Sequence, residues 1–261
     1  MIENKSLHAR PFYYPGMETR RIIIWDLENT LYPYTPAFGP ATRHALAQTI
    51  EDLQLGMSAA EAWNFAQPTY PLQTISRLTA LSGRSQHELF LRFHDNLKPD
   101  FITPDPLLAH EIRHCPAQHA MITHSSRRFA ERALAHMGLS EAFPPHLRIT
   151  SEDMGGIGKN DASAAVTLAL KRLDAQPHDA IMVDDRDVNL KYPRELGLIG
   201  ILVGNRGEEL DAQHCHHYYP TAGSFLRSYN LQAGPPLSPV SAQPAASPSH
   251  HKSQKNHGHK P

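Results

Sequence analysis

The sequence has few of the features that mark secreted or membrane proteins. Among its 261 residues there are only two cysteines, at positions 115 and 215. This scarcity argues against a disulfide scaffold or a zinc ribbon and indicates a reducing compartment. No apolar run approaches the roughly 20 residues that span a bilayer, and the N-terminus "MIENKSLHAR" lacks the apolar segment of a signal peptide. We therefore expect a soluble cytoplasmic protein without a membrane partner.

The chain also lacks an excess of charge of either sign. It has 25 basic and 26 acidic residues, which gives a formal net charge of −1. Surfaces that bind nucleic acid polymers or anionic lipids carry a basic excess, so neither partner is expected. The length suits one large α/β domain, or a core domain with a smaller insert. The sequence leaves the oligomeric state open.

Short apolar strands alternate with helical segments along most of the chain. The stretches "RIIIW", "HAMIT", "LRIT", "AIMV" and "IGILV" predict strands that are buried in a sheet. Their alternation with helices predicts a three-layer, Rossmann-like α/β core with a parallel sheet, formed by residues 18–35 and 100–230. Residues 36–99 carry mainly helical signals and predict an inserted helical cap. Residues 231–261 are rich in Pro, Ser, Ala and His, which predicts a disordered tail.

Polar residues that suit phosphate chemistry stand at the ends of the predicted strands or in the loops that follow them. These residues are Asp26, Glu28, Thr123, Lys159, Asp184 and Asp185. Because open parallel sheets bind ligands at the carboxyl ends of their strands, we expect these side chains to meet in one crevice. Clustered acids, a hydroxyl and a lysine are what a magnesium ion and a phosphorylated ligand require. The pattern therefore predicts a metal-assisted phosphoryl-transfer site.

Four stretches of the sequence carry a family resemblance. "IIIWDLENTLYP", "MITHSS", "GK" at 158–159 and "IMVDDRDVNL" resemble, in order and spacing, the four motifs of the haloacid dehalogenase (HAD) superfamily of hydrolases. "DLENTLYP" together with "VDDRDVNL" looks most like the pyrimidine 5'-nucleotidase-like branch. The resemblance covers about residues 20–205. It implies a magnesium-dependent phosphomonoester hydrolase that acts on a small phosphorylated metabolite, with a nucleoside monophosphate as the first expectation.

The resemblance also implies roles for individual residues. Asp26 is the expected nucleophile that forms an aspartyl-phosphate, and Glu28 occupies the position of the general acid and base. Thr123 is expected to hold the phosphate, and Lys159 to neutralise the charge around it. The implied magnesium ligands are Asp26, the backbone carbonyl of Glu28, Asp185 and, in support, Asp184.

The chain departs from the family pattern at three positions. Glu28 replaces the usual Asp, His124 stands where Asn is common, and Asn160 stands where Pro is common. Only Glu28 affects a catalytic role. Its extra methylene moves the carboxylate by about 1 Å, and a misplacement of that size can lower a rate about 10²-fold. We therefore expect slow but real turnover that Glu28→Asp would raise. If His124 or the backbone has shifted to fit the longer side chain, Glu28→Asp would instead leave turnover unchanged or lower it.

Two other functions remain open from the sequence. A carbon–halogen hydrolase would not need Asp184 and Asp185 as metal ligands, so dependence on magnesium separates it from a phosphatase. A binding or regulatory protein would keep its affinity for magnesium and phosphate without turnover. A separate stretch, "HCHHYY" at 214–219, is a weaker candidate for a zinc site, because strand alternation would place neighbouring side chains on opposite faces.

Overall fold

The structure is a computed structural model that describes residues 20–66, 71–155, 163–204 and 213–233. Within these ranges six strands form one sheet with the order β3-β2-β1-β4-β5-β6, and every pairing is parallel. The strands are β1 Ile22–Trp25, β2 Gln118–Ile122, β3 Arg148–Ile149, β4 Ala180–Asp184, β5 Ile199–Val203 and β6 His217–Tyr219. The predicted parallel α/β architecture is confirmed.

Nine α-helices accompany the sheet in the described part of the chain. They are α1 Phe38–Asp52, α2 Ala59–Phe65, α3 Pro71–Ser82, α4 Gln86–Asn96, α5 Pro106–His114, α6 Arg127–His136, α7 Ser163–Arg172, α8 Asp187–Leu196 and α9 Ala222–Ala233. None of these helices is both long and apolar enough to cross a membrane. Helices α1–α4 follow one another between β1 and α5, where the sequence predicts a helical insert.

The sheet lies between two hydrophobic clusters. In β1, Ile23 and Trp25 belong to the first cluster, whereas Ile22 and Ile24 belong to the second. Helices α5, α6 and α9 contribute to the first cluster, and α7 and α8 contribute to the second. Both faces of β1 are therefore covered, which explains why its sequence is continuously apolar rather than alternating.

Helices α1–α4 share the first hydrophobic cluster with the sheet. Leu46 of α1 and Phe93 of α4 belong to the same cluster as Trp25 of β1. Within the segment, α1 packs against α2, α3 and α4, while α4 also contacts α6. The segment is thus built on the core, and its assignment as a separate cap domain stays a prediction.

Two further elements, β6 and α9, follow β5. β6 adds an edge strand beside β5, and α9 packs over the first cluster through Phe225 and Tyr229, which are fully buried. The helix ends at Ala233. Residues 231–233 of the predicted tail thus belong to α9, and residues 234–261 lie outside the described ranges, so the disordered tail stays a prediction.

His119 of β2 is a buried histidine that is held in its neutral form. Its Nδ1 accepts a hydrogen bond from Trp25 Nε1 at 3.0 Å. The proton therefore resides on Nε2, which donates to the Ile112 carbonyl at 3.0 Å. Burial lowers the pKa of His119 to about 4, although the hydrogen bond to Ile112 opposes the shift. An unfolded histidine has a pKa of about 6.5, so acid protonates the unfolded chain first.

The stability that neutral His119 provides is complete above about pH 6.5 and is lost as the pH falls toward about 4. We expect His119 alone to lower the free energy of unfolding by about 2 kcal/mol between about pH 7.5 and about pH 5. Urea denaturation at both pH values measures this, and His119→Asn should show a pH dependence that is smaller by that amount. His146→Asn, at an exposed histidine, is the control and should keep the full dependence. An unchanged dependence in His119→Asn would contradict the assignment.

Candidate active site

The carboxyl ends of β1, β2 and β4 meet at one edge of the sheet, because these strands are parallel neighbours. The sheet hydrogen bonds continue into the residues that follow the strands. The Asp26 N–H donates to the Val183 carbonyl at 2.9 Å, and the Thr123 N–H donates to the Ile149 carbonyl at 2.9 Å. Asp26 and Thr123 are both buried. The sheet itself therefore fixes the backbone of these two predicted site residues.

Three carboxylates form a compact group at this edge. Oxygen atoms of Asp26, Asp184 and Asp185 lie within 4.8 Å of one another, and the first two residues are buried. Neighbouring carboxylates repel one another unless a cation lies among them. Hard divalent cations prefer carboxylate oxygens as ligands. The three residues therefore fit a divalent cation site.

Neutral side chains orient these three carboxylates. The donor and acceptor pairs are Thr30 Oγ1 to Asp26 Oδ2 at 2.9 Å, Asn29 Nδ2 to Asp185 Oδ2 at 2.8 Å and Asn189 Nδ2 to Asp184 Oδ1 at 2.9 Å. Asn29 reaches its partner from a backbone φ of 56°. Asparagine tolerates this left-handed region better than most residues. The letters "NT" after the acidic pair thus encode a turn and two donors to the acids.

The Glu28 side chain lies outside the carboxylate group. Its Oε2 accepts a hydrogen bond from Thr123 Oγ1 at 2.7 Å, and its Oε1 accepts one from Ser125 Oγ at 2.6 Å. The Ser125 N–H in turn donates to Thr123 Oγ1 at 3.0 Å. The hydroxyl that was expected to hold a phosphate is therefore engaged with Glu28.

His94 of α4 also lines the cavity at the candidate site, and no motif in the sequence marks it. Its Nδ1 accepts a hydrogen bond from the Ser126 N–H at 3.2 Å, so its Nε2 carries the proton and faces Ser125 Oγ at 3.3 Å. Burial and, less strongly, the charge of Arg132 lower the pKa of His94 to about 3. The ring is therefore neutral at physiological pH. In the sequence it lies within "LRFHDN", where nothing distinguishes it from an ordinary helix residue.

A cavity of about 840 Å³ lies over these residues. Asp26, Glu28 and Asp185 line its polar end. Much of the remaining wall is apolar and comes from the loop after β1 and from α1, α3 and α4. The apolar side chains of this wall include Tyr34, Phe38, Leu72, Phe90 and Phe93. The site therefore opens into a space that can hold a ligand much larger than a phosphate ion.

Tyr32 contributes an unused donor at the wall of the cavity. Its hydroxyl is buried and has no hydrogen-bond partner within the described part of the chain. Burial, followed by the charge of Glu28, raises the pKa of Tyr32 well above its ordinary value. The phenol therefore keeps its proton near a group of negative charges.

The family of the chain follows from its sequence. The sequence model of the haloacid dehalogenase-like hydrolases matches residues 21–197, which is more than half of the chain. The protein belongs to the haloacid dehalogenase-like hydrolases. A comparison with curated proteins gave no match to this HAD hydrolase.

Solved structures resemble the fold of this HAD hydrolase at low sequence identity. A candidate phosphoglycolate phosphatase from Lactobacillus plantarum is 18% identical, with a TM-score of 0.57, and the match covers 80% of this chain and 99% of the other. An HAD phosphatase from Thermococcus onnurineus is 18% identical, with a TM-score of 0.53 and coverages of 79% and 96%. A dehalogenase is 15% identical, with a TM-score of 0.51 and coverages of 80% and 96%. At these identities the likeness concerns the fold alone.

Two predictions from the sequence concern residues that are not part of the carboxylate group in this HAD hydrolase. Lys159 lies outside the described residues, so its place beside the carboxylates stays a prediction. The zinc alternative at 214–219 is not supported. Among the described residues, the group at Asp26 is the one set of three or more acids, histidines or cysteines with metal-binding spacing. His216 Nδ1 instead accepts a hydrogen bond from the Gly200 N–H at 2.9 Å.

Proposed function

We propose that this HAD hydrolase is a magnesium-dependent phosphomonoesterase that forms an aspartyl-phosphate on Asp26. The observation that supports this most directly is the group formed by Asp26, Asp184 and Asp185, which places a candidate nucleophile inside a candidate cation site. A carboxylate is a nucleophile without prior deprotonation. Bound magnesium would supply positive charge that offsets the repulsion between this carboxylate and an anionic ester. The ligands would be these three side chains and the backbone carbonyl of Glu28.

The reaction uses Asp26 and Glu28 in two successive steps. An oxygen of Asp26 attacks the phosphorus atom, the ester P–O bond breaks, and protonated Glu28 gives its proton to the departing alcohol. Water then attacks the phosphorus atom of the aspartyl-phosphate, the bond between phosphorus and Asp26 breaks, and ionised Glu28 takes a proton from the water. Phosphate leaves and both carboxyl groups return to their starting states. Thr30 holds one oxygen of Asp26, which orients the carboxylate for the attack.

Phosphate binding competes with Glu28 for one hydroxyl. Thr123 has a single hydroxyl proton, which it donates to Glu28 Oε2 in the structure. If Thr123 holds a phosphate oxygen, as the family resemblance implies, it must release Glu28 Oε2. Glu28 Oε2 is then available to the leaving group or the water, while Oε1 keeps its hydrogen bond to Ser125. Lys159 remains the proposed cation beside the phosphate.

The apolar wall of the cavity favours a substrate with a flat or apolar leaving group. Tyr34 and Phe38 stack with their ring centroids 4.4 Å apart, and both line the cavity. Aromatic side chains bind planar rings through stacking and edge contacts. A nucleoside monophosphate, with its phosphate at the carboxylates and its base against these rings, is therefore the substrate that we propose first. Helices α1–α4 would act as the cap that covers it.

Phosphate release from a panel of phosphomonoesters, measured with and without magnesium, tests this function. We expect release that requires magnesium and is fastest for nucleoside monophosphates. Magnesium-independent halide release from haloacids, without phosphate release, would instead identify a carbon–halogen hydrolase. If no phosphate is released but calorimetry detects magnesium-dependent binding of a nucleoside monophosphate, the protein is a binding or regulatory member of the family.

A further inference from the structure

Building on the phosphomonoesterase function above, we propose that His94 is a positioning residue for Glu28. It acts through the hydroxyl of Ser125 and keeps Glu28 in place when phosphate takes the hydroxyl of Thr123. His94 lies on α4, whereas Glu28 and Ser125 follow strands of the sheet. The segment α1–α4 would then supply part of the acid–base machinery as well as the wall of the cavity.

The donors and acceptors between His94 and Glu28 follow a fixed order, with His94 donating to Ser125 and Ser125 donating to Glu28. The Ser126 N–H can only donate, so the neutral ring accepts at Nδ1 and donates from Nε2 to Ser125 Oγ. Ser125 Oγ then uses its single proton to donate to Glu28 Oε1. Each hydroxyl therefore has one assignment, and rotation of Ser125 away from Glu28 would break two hydrogen bonds.

The ring of His94 cannot easily move, because packing and backbone contacts hold it. Its ring centroid lies 4.3 Å from that of Phe90 and 5.5 Å from that of Phe129, which belongs to α6. Arg132, also on α6, donates hydrogen bonds of 2.6 to 3.1 Å to the carbonyl oxygens at positions 94, 95 and 97. These contacts with α6 therefore restrain the C-terminal end of α4.

Thr123 and Ser125 differ in whether they keep their hydrogen bonds to Glu28 when the substrate binds. Thr123 is shared between Glu28 and the incoming phosphate, so its hold on Glu28 ends when substrate binds. Ser125 can keep its hydrogen bond to Glu28 throughout, because His94 restrains its hydroxyl. Loss of His94 should therefore impair the proton transfer that Glu28 performs and leave substrate binding nearly unchanged.

The test compares His94→Phe, which keeps the ring and its aromatic packing, with His94→Gln, which keeps an N–H donor near Nε2. Proton donation matters for a poor leaving group and little for a good one. We expect His94→Phe to lower kcat/KM about 10-fold or more for an alkyl phosphate and less than about threefold for p-nitrophenyl phosphate. His94→Gln should restore most of the loss, and His94→Phe should add little to Ser125→Ala.

His44→Phe, at an exposed histidine of α1, is the matched control and should change neither value. Thermal unfolding establishes that each variant is folded. Equal losses for both esters, or no difference between His94→Phe and His94→Gln, would overturn the positioning role. Wild-type protein that releases phosphate from neither ester would overturn the proposed function instead.

Crystal structures with inorganic phosphate and magnesium test the positioning role without turnover. In the wild type, Glu28 should remain within hydrogen-bond distance of Ser125 Oγ. In His94→Phe it should leave that position. An unmoved Glu28 in the variant would overturn the inference whether or not the enzyme is active.

Discussion

Asp26→Asn is expected to abolish phosphate release, with a loss of about 10⁴-fold or more. A carboxamide oxygen is a poor nucleophile, so the aspartyl-phosphate cannot form. The side chain keeps its shape and can still accept the hydrogen bond from Thr30 at the place of Oδ2. Replacing one of three neighbouring carboxylates also relieves repulsion, so the variant should be at least as stable as the wild type without metal.

Steady-state phosphate release and thermal unfolding, measured side by side, separate these effects. Asp100→Asn, at an exposed acid, controls for the change of net charge and should keep full activity. Mass spectrometry after acid quench should detect a phosphorylated peptide containing Asp26 in the wild type and none in the variant. Turnover above about one-hundredth of the wild-type rate in Asp26→Asn would rule out nucleophilic attack by this residue.

Glu28→Asp is expected to lower turnover by about 10²-fold. The family resemblance implies an increase, because its motif has Asp at this position, but the geometry favours the alternative outcome. Both oxygens of Glu28 are used, at 2.7 Å from Thr123 Oγ1 and 2.6 Å from Ser125 Oγ. A side chain that is shorter by about 1 Å cannot keep both hydrogen bonds. The longer acid is therefore matched to its surroundings.

Measurement of kcat for Glu28→Asp and Glu28→Gln separates the effect of side-chain length from the effect of the ionisable group. Glu28→Gln keeps the length and removes the ionisable group, and should lose roughly 10²- to 10⁴-fold through the missing acid–base step. Glu141→Asp, at an exposed glutamate, controls for the shortening itself and should have no effect. A faster Glu28→Asp enzyme would show that Glu28 is an imperfect substitute for Asp.

The acidic part of the site could be predicted because local sequence patterns indicate both the strands and the acids that end them. The apolar run of β1 ends at Asp26, and that of β4 ends at Asp184. Parallel pairing of neighbouring strands then places the ends together without further information. The residues around them, Asn29 and Thr30, follow in the same turn. This part of the site depends on local sequence and on one topological rule.

The role of His94 could not be predicted in the same way. Its proximity to Ser125 depends on how α4 packs against α6, and no spacing in the sequence records that contact. The direction of the Glu28 carboxylate was equally hidden, because the partners that hold it follow a different strand. Long-range packing of a helix and the choice between hydrogen-bond partners are set by the whole fold.

The hydrophobic cluster that α1–α4 share with the sheet also bears on how the molecule unfolds. Buried side chains of α1 and α4 lie in the same apolar core as β1, so loosening these helices would expose part of the core of the sheet to water. Regions that share a core tend to open as one cooperative unit. The helices beside the cavity would therefore melt together with the sheet in a single transition, and slow amide exchange would extend from β1 into α4.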